Sequence, residues 1–323
     1  MVERIAQKHV GLQILPEHYP YVAAALLTAI KEVLGDAATD EIMAAWGNAY
    51  WALADILIGR ERTLYGAIAE MPGGWSGWRD FVIEAVIPEC AVISSFVLRP
   101  VDGAPVMAHK PGQYLTFNLD LGDGAPTKRN YSISGAANGE TYRISVKREP
   151  EGRASVWMHD EARVGTVLRV APPAGDFFLP DAPERPVVLM SGGVGLTPMV
   201  AMLETIAERH PDLPVHYVHG TLNGETHAMR DHVAQLCAGR DNLRASVFYE
   251  VPRLEDAAGR DYDHDGRITP AWLLSQTETS EAEYYLCGPR PFLAAMVRAL
   301  NEGGVPRERV HFEYFGPADS DLV

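Results

Sequence analysis

The chain has 323 residues, 47% of them hydrophobic, too many for one ordinary core, so two or three domains are expected. A formal charge of −15 repels phosphate backbones and sets nucleic-acid binding aside. Cys90, Cys237 and Cys287 lie far apart and fit neither a zinc nor a disulfide pattern, and neither a leader-like segment nor a run of about 18 apolar residues occurs, so a cytoplasmic protein without membrane insertion is expected.

The first 70 or so residues read as helical. Pro16 and Glu17 open a segment whose Val22, Leu26, Ile30 and Val33 keep helical spacing, and Gly35 ends it. Thr39 is the expected N-cap of a long helix, with Asp40 and Glu41 in its first turn and one apolar stripe of Ile42, Trp46, Tyr50, Leu53 and Leu57. Met71 to Gly74 stops that helix and reads as a linker. From Trp78 the texture becomes β-rich, with runs at 81–86, 92–98, 114–119, 129–134, 142–147 and 167–171 separated by Gly, Pro and Asp turns. Short, evenly spaced strands of this kind predict an antiparallel barrel. From Pro186, strands at 187–190, 215–219, 244–249 and 283–286 alternate with helical stretches, the first from Thr197. That alternation predicts a doubly wound parallel sheet. The expected architecture is multidomain, α then β then α/β, with boundaries at 1–72, 73–183 and 184–323.

Three short segments carry chemistry. Gly192-Gly193-Val194-Gly195 follows a strand and precedes a helix, so its glycines let backbone approach a pyrophosphate and the helix N-terminus offers free N–H groups. The alternative is a tight turn that binds nothing. On the strand at 129–134, alternation places Arg129 and Tyr131 on one face and Ser132 on the other, unless the strand twists or ends there. A guanidinium suits a phosphate and a phenol ring suits stacking on a planar cofactor, whereas the plain alternative is an exposed strand end. Gly152-Arg153-Ala154-Ser155 opens a short helix and is a second phosphate cradle. Asp261 to Ile268 imitates the start of a calcium loop, but Trp272 stands where a bidentate glutamate is required, so a solvated turn is expected. His216, His219 and His227 have no metal-ligand spacing.

These motifs, in this order, resemble the ferredoxin–NADP reductase superfamily from about Trp78 onward. In that family an R-x-Y-S strand and a Gly-x-x-Ser turn hold FAD, a G-x-G-x-x-P turn holds NAD(P)H, and a C-G-P segment lies beside the nicotinamide. The matching residues are Arg129, Asn130, Tyr131 and Ser132; Gly152 and Ser155; Gly193, Val194, Gly195, Leu196, Thr197 and Pro198; and Cys287, Gly288 and Pro289. The resemblance implies that Arg129 meets the FAD pyrophosphate, that Tyr131 lies against the flavin with Ser132 near its reactive nitrogen, and that Tyr114 is a further contact. Cys287 also reads as a buried cysteine ending a core strand.

The front of the chain extends the match. Lys8-His9, Pro16 to Tyr19, Trp46 to Tyr50 and Gly73 to Trp75, with the closing Glu313-Tyr314-Phe315-Gly316-Pro317, resemble the flavohaemoglobins, starting at the second half of their globin domain. This implies that His9 is the proximal ligand of haem b and that Tyr19 and Glu61 orient and polarise it, because a carboxylate-backed imidazole donates more electron density to iron. It also implies FAD contacts from Tyr314, Phe315, Gly316 and Pro317, and redox tuning by Lys8 and Glu313. The family's earlier helices, with their distal tyrosine and glutamine, have no counterpart here; a proximal half-globin is expected, begun upstream of Met1 or truncated. The implied fold is partial globin helices, an antiparallel FAD-binding barrel and a doubly wound NAD(P)-binding domain. The implied activity is nitric oxide dioxygenation: hydride passes from NAD(P)H to FAD, single electrons pass to haem, and NO and O2 become nitrate. NADH is preferred to NADPH because no basic cluster follows the second strand of the nucleotide domain. The expected partners are small molecules only, NADH or NADPH, O2 and NO, and the chain is expected to be a monomer. The rival is a stand-alone NAD(P)H reductase of free flavin or ferric chelates; a haem-based gas sensor is a third reading.

Overall fold

The structure is a computed structural model that describes residues 2–122, 124–277 and 279–316. Its helical front consists of α1 (Val2–Gly11), α2 (Tyr19–Leu34) and α3 (Asp40–Glu70). A 3-10 turn at Pro16–His18 leads into α2, and Gly35, in the left-handed region, ends it. Thr39 caps α3, its hydroxyl accepting from the Ile42 N–H at 3.3 Å.

The expected apolar stripe does not pack as a unit. The helical core is Tyr19, Ala54 and Leu57, ringed by Val2, Ile5, Ile14, Tyr50 and Ile58. Ile42, Trp46 and Leu53 are exposed, as are Val22, Leu26 and Val33 on α2. Length is one reason. At about 1.5 Å per residue, the 10-residue α1 covers only part of a 31-residue α3. The buried set on α3 is Ala54, Leu57 and Glu61, spaced by three and four on the face toward α1.

Six antiparallel strands follow: β1 (Arg79–Pro88), β2 (Ile93–Pro100), β3 (Tyr114–Leu119), β4 (Thr127–Ser132), β5 (Tyr142–Lys147) and β6 (Val167–Val170), in spatial order β4-β3-β6-β1-β2-β5. A bridge between Ile133 and Ile144 joins the two edges and closes the sheet on itself, which removes the unpaired edges that would otherwise invite association. Alternate residues Phe81 and Ile83, Phe96 and Leu98, Leu115 and Phe117 fill the barrel. The helix α4 (Arg153–Asp160) adds Met158 to that core.

The last layer alternates β7 (Val187–Gly192), α5 (Leu196–Arg209), β8 (Val215–Thr221), α6 (Arg230–Cys237), β9 (Leu243–Tyr249), the short β10 (His264–Asp265), α7 (Pro270–Gln276), β11 (Glu283–Cys287), α8 (Arg290–Glu302) and β12 (Val310–Glu313). All pairings are parallel, in order β10-β9-β8-β7-β11-β12. The strand order reverses between β7 and β11, which is where open α/β sheets form a ligand crevice. β10 had no clear signal in the sequence. The calcium-like segment is solvated only in part: Asp263, Asp265 and Arg267 are exposed, but Asp261 is buried, bonded to Arg230 (3.0 Å) and Arg260 (2.7 Å) and accepting from the Ala257 N–H (2.9 Å). Among the described residues no cluster of three His, Cys, Asp or Glu side chains could hold a metal ion, and no helix is long and apolar enough to cross a membrane.

Candidate active site

A cleft of about 500 Å³ lies where the three layers meet. Its walls come from α1 and the residue just after it (Lys8, Leu12), from β3 and β4 (Tyr114, Arg129 to Ser132), from β5 and the start of α4 (Ser145, Lys147, Gly152 to Ser155), from the turn before α5 and its first turn (Val194, Thr197), and from the chain end (Glu313 to Gly316).

The barrel supplies the most complete wall. All four residues of the Arg-x-Tyr-Ser run reach the cleft, because β4 ends at Ser132 and frees it from strict alternation. The Arg129 guanidinium bonds only its own strand, through Nη1 to Thr127 Oγ1 (3.0 Å) and the Lys128 carbonyl (2.8 Å), among the described residues. Asn130 accepts from the Thr116 hydroxyl at 2.9 Å. Tyr131 packs on Phe117, and burial pushes its phenol up to about 12. The Tyr114 hydroxyl is buried against Gly11 with no partner among the described residues. Across the cleft, Ser155 Oγ donates to the Gly152 carbonyl (2.9 Å) and accepts from the Glu149 N–H (3.2 Å), which tightens the turn into α4. Ser145, Lys147 and Leu12 were not singled out from the sequence. Ser145 and Lys147 are two apart on β5, so strand periodicity carried a signal for the pair.

The nucleotide-domain motifs are divided by the fold. Gly193 has φ +54°, a conformation that favours glycine. Gly195 is required for a different reason from the one expected: a Cβ there would collide with the Cys287 carbonyl and the Gly288 N–H. The turn and the Cys-Gly-Pro segment therefore lock together backbone to backbone, in register with the Ser191–Cys287 pairing of β7 and β11. Of the six turn residues, Val194 and Thr197 line the cleft, and Thr197 Oγ1 donates to the Val194 carbonyl at 3.1 Å. Leu196 and Pro198 are buried, and Leu196 belongs to the core. Cys287 is fully buried, and burial raises its thiol well above the usual range, so it stays protonated. Pro289 precedes α8 as its N-cap.

One carboxylate ties α5 to the barrel. Glu204 Oε1 accepts from Arg143 Nη2 (2.5 Å) and His232 Nε2 (2.6 Å), and Oε2 accepts from the Ala136 N–H (2.7 Å). Arg143 also donates to the Ser134 carbonyl, and His109 bonds the Gly135 carbonyl at 2.9 Å. Burial pushes the Glu204 carboxyl up, but His232 and Arg143 outweigh it and hold the group below its usual range. Glu204→Ala leaves the Arg143 charge without its carboxylate; it is expected to destabilise the fold by about 2–3 kcal/mol, read as a lower thermal midpoint, and a midpoint within 1 °C of the parent would contradict this.

The chain end closes the remaining side. β12 carries Glu313 to the cleft, followed by Tyr314, Phe315 and Gly316; Phe315 is 45% exposed. Pro317 lies outside the described residues. Burial raises the Glu313 carboxyl, and Lys8 and Arg4 pull it back.

Next to Lys8, on the same helix, stands a second polar group. His9 Nδ1 lies 2.7 Å from Glu61 Oε1, and the Tyr19 hydroxyl donates to the same oxygen at 2.6 Å. Tyr19 OH is also 3.1 Å from His9 Nδ1. A carboxylate only accepts, so Nδ1 carries the proton, and in the neutral imidazole that leaves the lone pair on Nε2. The Glu61 side chain is 3% exposed and its Oε2 has no partner among the described residues, whereas His9 is 30% exposed. Burial and then Glu61 raise the Tyr19 phenol, so it remains a donor. The Tyr50 hydroxyl holds the Tyr19 carbonyl at 2.7 Å and Tyr65 holds that of Ile14 at 2.9 Å, so the chain around Tyr19 is fixed from both sides.

The chain matches two family models, Globin over residues 1–57 and the oxidoreductase NAD-binding domain over residues 189–298. It is 54% identical to a flavohemoprotein of Xylella fastidiosa, across 100% of this chain and 80% of that protein. The chain belongs to the flavohemoprotein family. A flavohemoprotein of Bordetella pertussis is 47% identical, across 98% of this chain and 80% of its own length. Among solved structures, the flavohemoglobin of Malassezia yamatoensis with bound FAD and heme superposes with a TM-score of 0.86 at 27% identity, covering 98% of this chain and 79% of that one. The FAD/NAD binding domain of a nitric oxide dioxygenase from Vibrio cholerae superposes with a TM-score of 0.67 at 37% identity, covering 74% of this chain and 99% of that one. The helical, antiparallel and parallel layers found here are those of that family.

Proposed function

We propose that this chain is an NAD(P)H-dependent oxidoreductase that passes electrons through FAD to haem, and that its reaction is nitric oxide dioxygenation. The observation that carries the haem reading is the His9–Glu61–Tyr19 group. A carboxylate-backed imidazole with its other nitrogen open fits an iron ligand, and a solvated helix histidine has no use for a buried carboxylate. The cleft fits FAD by its donors: Arg129, Lys147 and the start of α4 suit phosphates, Tyr131 gives a flat aromatic wall, and the orphaned Tyr114 hydroxyl needs a polar partner. Bound there, FAD would turn a two-electron donor into single electrons and haem iron would supply the oxygen chemistry.

The protein's own part is positional. Glu61 holds the His9 Nδ1 proton and so keeps Nε2 aimed outward as the ligating atom. Tyr19 holds Glu61 in turn. Lys8 brings a positive charge to the same helical turn, between the imidazole and the cleft. Gly193, Val194 and Thr197 present the N-terminus of α5 to the nucleotide, while Cys287, Gly288 and Pro289 brace that turn from behind. Glu313, Tyr314, Phe315 and Gly316 screen the flavin position from water. The segments 1–72, 73–183 and 184–323 are the proposed haem-ligating, FAD-binding and NAD(P)-binding units. Two arginines beyond β8 are engaged by carboxylates, Arg253 by Glu225, Glu255 and Asp256, and Arg230 by Asp231 and Asp261. That leaves them poorly suited to a 2′-phosphate, so NADH is expected to exceed NADPH at least tenfold in kcat/KM, and equal values would contradict this.

A second reading, a stand-alone reductase of free flavin or ferric chelates, draws on one observation: neither α2 nor α3 contributes to the cleft. The visible spectrum of the purified chain separates the two. A Soret band with one equivalent of iron and NADH-driven loss of NO supports the dioxygenase. Flavin bands alone, with rapid ferric-chelate reduction, overturn it.

A further inference from the structure

We infer that Ser145, Ser95 and Glu89 form a path that carries a proton out of the cleft, an inference that rests on the flavin reading of that cleft. The Ile133–Ile144 bridge sets Ser132, at the end of β4, opposite Ser145 on β5, and both line the cleft. Behind Ser145 lies its pairing partner on β2, Ser95, with no exposed surface. The two hydroxyl oxygens are 2.7 Å apart, and Ser95 Oγ donates to Glu89 Oε1 at 2.6 Å. Glu89 is partly exposed just past β1, so the chain runs from cleft to solvent in three side chains.

Its polarity is set at the outer end. An ionised carboxylate only accepts, so the Ser95 hydrogen points to Glu89. Ser95 Oγ then accepts from Ser145, whose own oxygen keeps a lone pair toward the cleft and toward Ser134 Oγ at 2.8 Å. Every hydrogen along the path therefore points outward, the order needed to pass a proton from the cleft to Glu89. Three buried hydroxyls merely satisfying one another would need no carboxylate at the end.

The chemistry requires such an exit. NADH and FAD give NAD⁺ and FADH⁻. When FADH⁻ delivers two electrons singly to a ferric acceptor, FAD returns and one proton must leave. The flavin N–H bond breaks as that proton joins Ser145 Oγ. Ser145 passes its own to Ser95, Ser95 passes its own to the Glu89 carboxylate, and Glu89 releases it to water.

The test uses the holoprotein loaded with ¹⁵N-labelled flavin, reduced by dithionite without nucleotide or acceptor, and follows exchange of the flavin ring N–H with solvent deuterium. Ser95→Ala, which interrupts the path, and Glu89→Gln, which keeps the hydrogen-bond acceptor but removes the base, are each expected to slow exchange at least tenfold. Flavin content and ¹⁵N shifts are expected to stay as in the parent for both variants, and the thermal midpoint to stay for Glu89→Gln, whereas Ser95→Ala loses a buried hydroxyl and is expected to melt lower. Unchanged exchange in Glu89→Gln overturns the path even if Ser95→Ala is slow, since the hydroxyls would then serve packing alone. Failure of the parent chain to hold flavin overturns the reading of the cleft, and the path with it.

Discussion

His9→Ala is expected to remove the Soret band of the purified chain while leaving reduction of its flavin by NADH within about twofold of the parent. The imidazole is the only part of the His9–Glu61–Tyr19 group whose open nitrogen can ligate iron; Glu61 and Tyr19 act on Nδ1, on its far side. The residues expected to hold flavin and nucleotide come from other elements, and from α1 and its end the cleft takes Lys8 and Leu12 but not His9. Removing the imidazole also leaves Glu61, 3% exposed, without one of its two donors, a loss of about 1–3 kcal/mol. His9→Gln keeps a donor for Glu61 without an imidazole nitrogen, so it separates lost ligation from lost folding: the Soret band is expected to be absent there too, with helical content intact. Retention of haem in both variants would show that another residue ligates iron. Glu61→Gln, which keeps the size of the side chain but weakens its hold on Nδ1, is expected to lower haem affinity about 10- to 100-fold.

Arg129→Ala is expected to weaken flavin retention by about 10- to 100-fold. A charge-assisted bond to a phosphate is worth about 1.5–3 kcal/mol, and each 1.4 kcal/mol is about a factor of ten in affinity. The guanidinium is well placed to move toward a ligand, since among the described residues it bonds Thr127 and Lys128 on its own exposed strand and no others. For the same reason the substitution is expected to leave the thermal midpoint of the flavin-free protein unchanged. Flavin content per mole of purified protein, followed by dialysis, is the measurement. Content equal to that of the parent would show that the phosphates sit on Lys147 and the start of α4 instead. Arg129→Lys restores charge without the planar fork and is expected to fall between the two.

Much of this molecule was readable from residue order because its signals are local. The six barrel strands are short β-rich runs bounded by Gly, Pro and Asp, and the expected run at 114–119 is β3 residue for residue. Thr39 announced the start of α3 and Gly35 the end of α2, each by its own conformational chemistry. The helical stripe failed because periodicity reports which face is apolar and not what covers it: Trp46 and Leu53 belong to the same stripe as Leu57, yet only Leu57 meets the short α1. Gly195 shows the same gap at a motif. Its identity signalled close approach, but only the β7–β11 pairing revealed that the approach is to Cys287 and Gly288.

The sequence by itself determined the order of the three layers, the Arg129–Ser132 and Gly193–Pro198 segments and, through resemblance, the pairing of His9 with Tyr19 and Glu61. All of these are carried by residue type and short spacing. Tertiary structure alone decided what lies across from what. Glu204 joins α5 to Arg143, 61 residues away, at 2.5 Å; Ser145 meets Ser95 across β5 and β2 at 2.7 Å. Such contacts form between residues whose distance along the chain leaves no periodic trace. The packing of one layer on the next fixes them, and that packing is set by the whole core and not by any one segment.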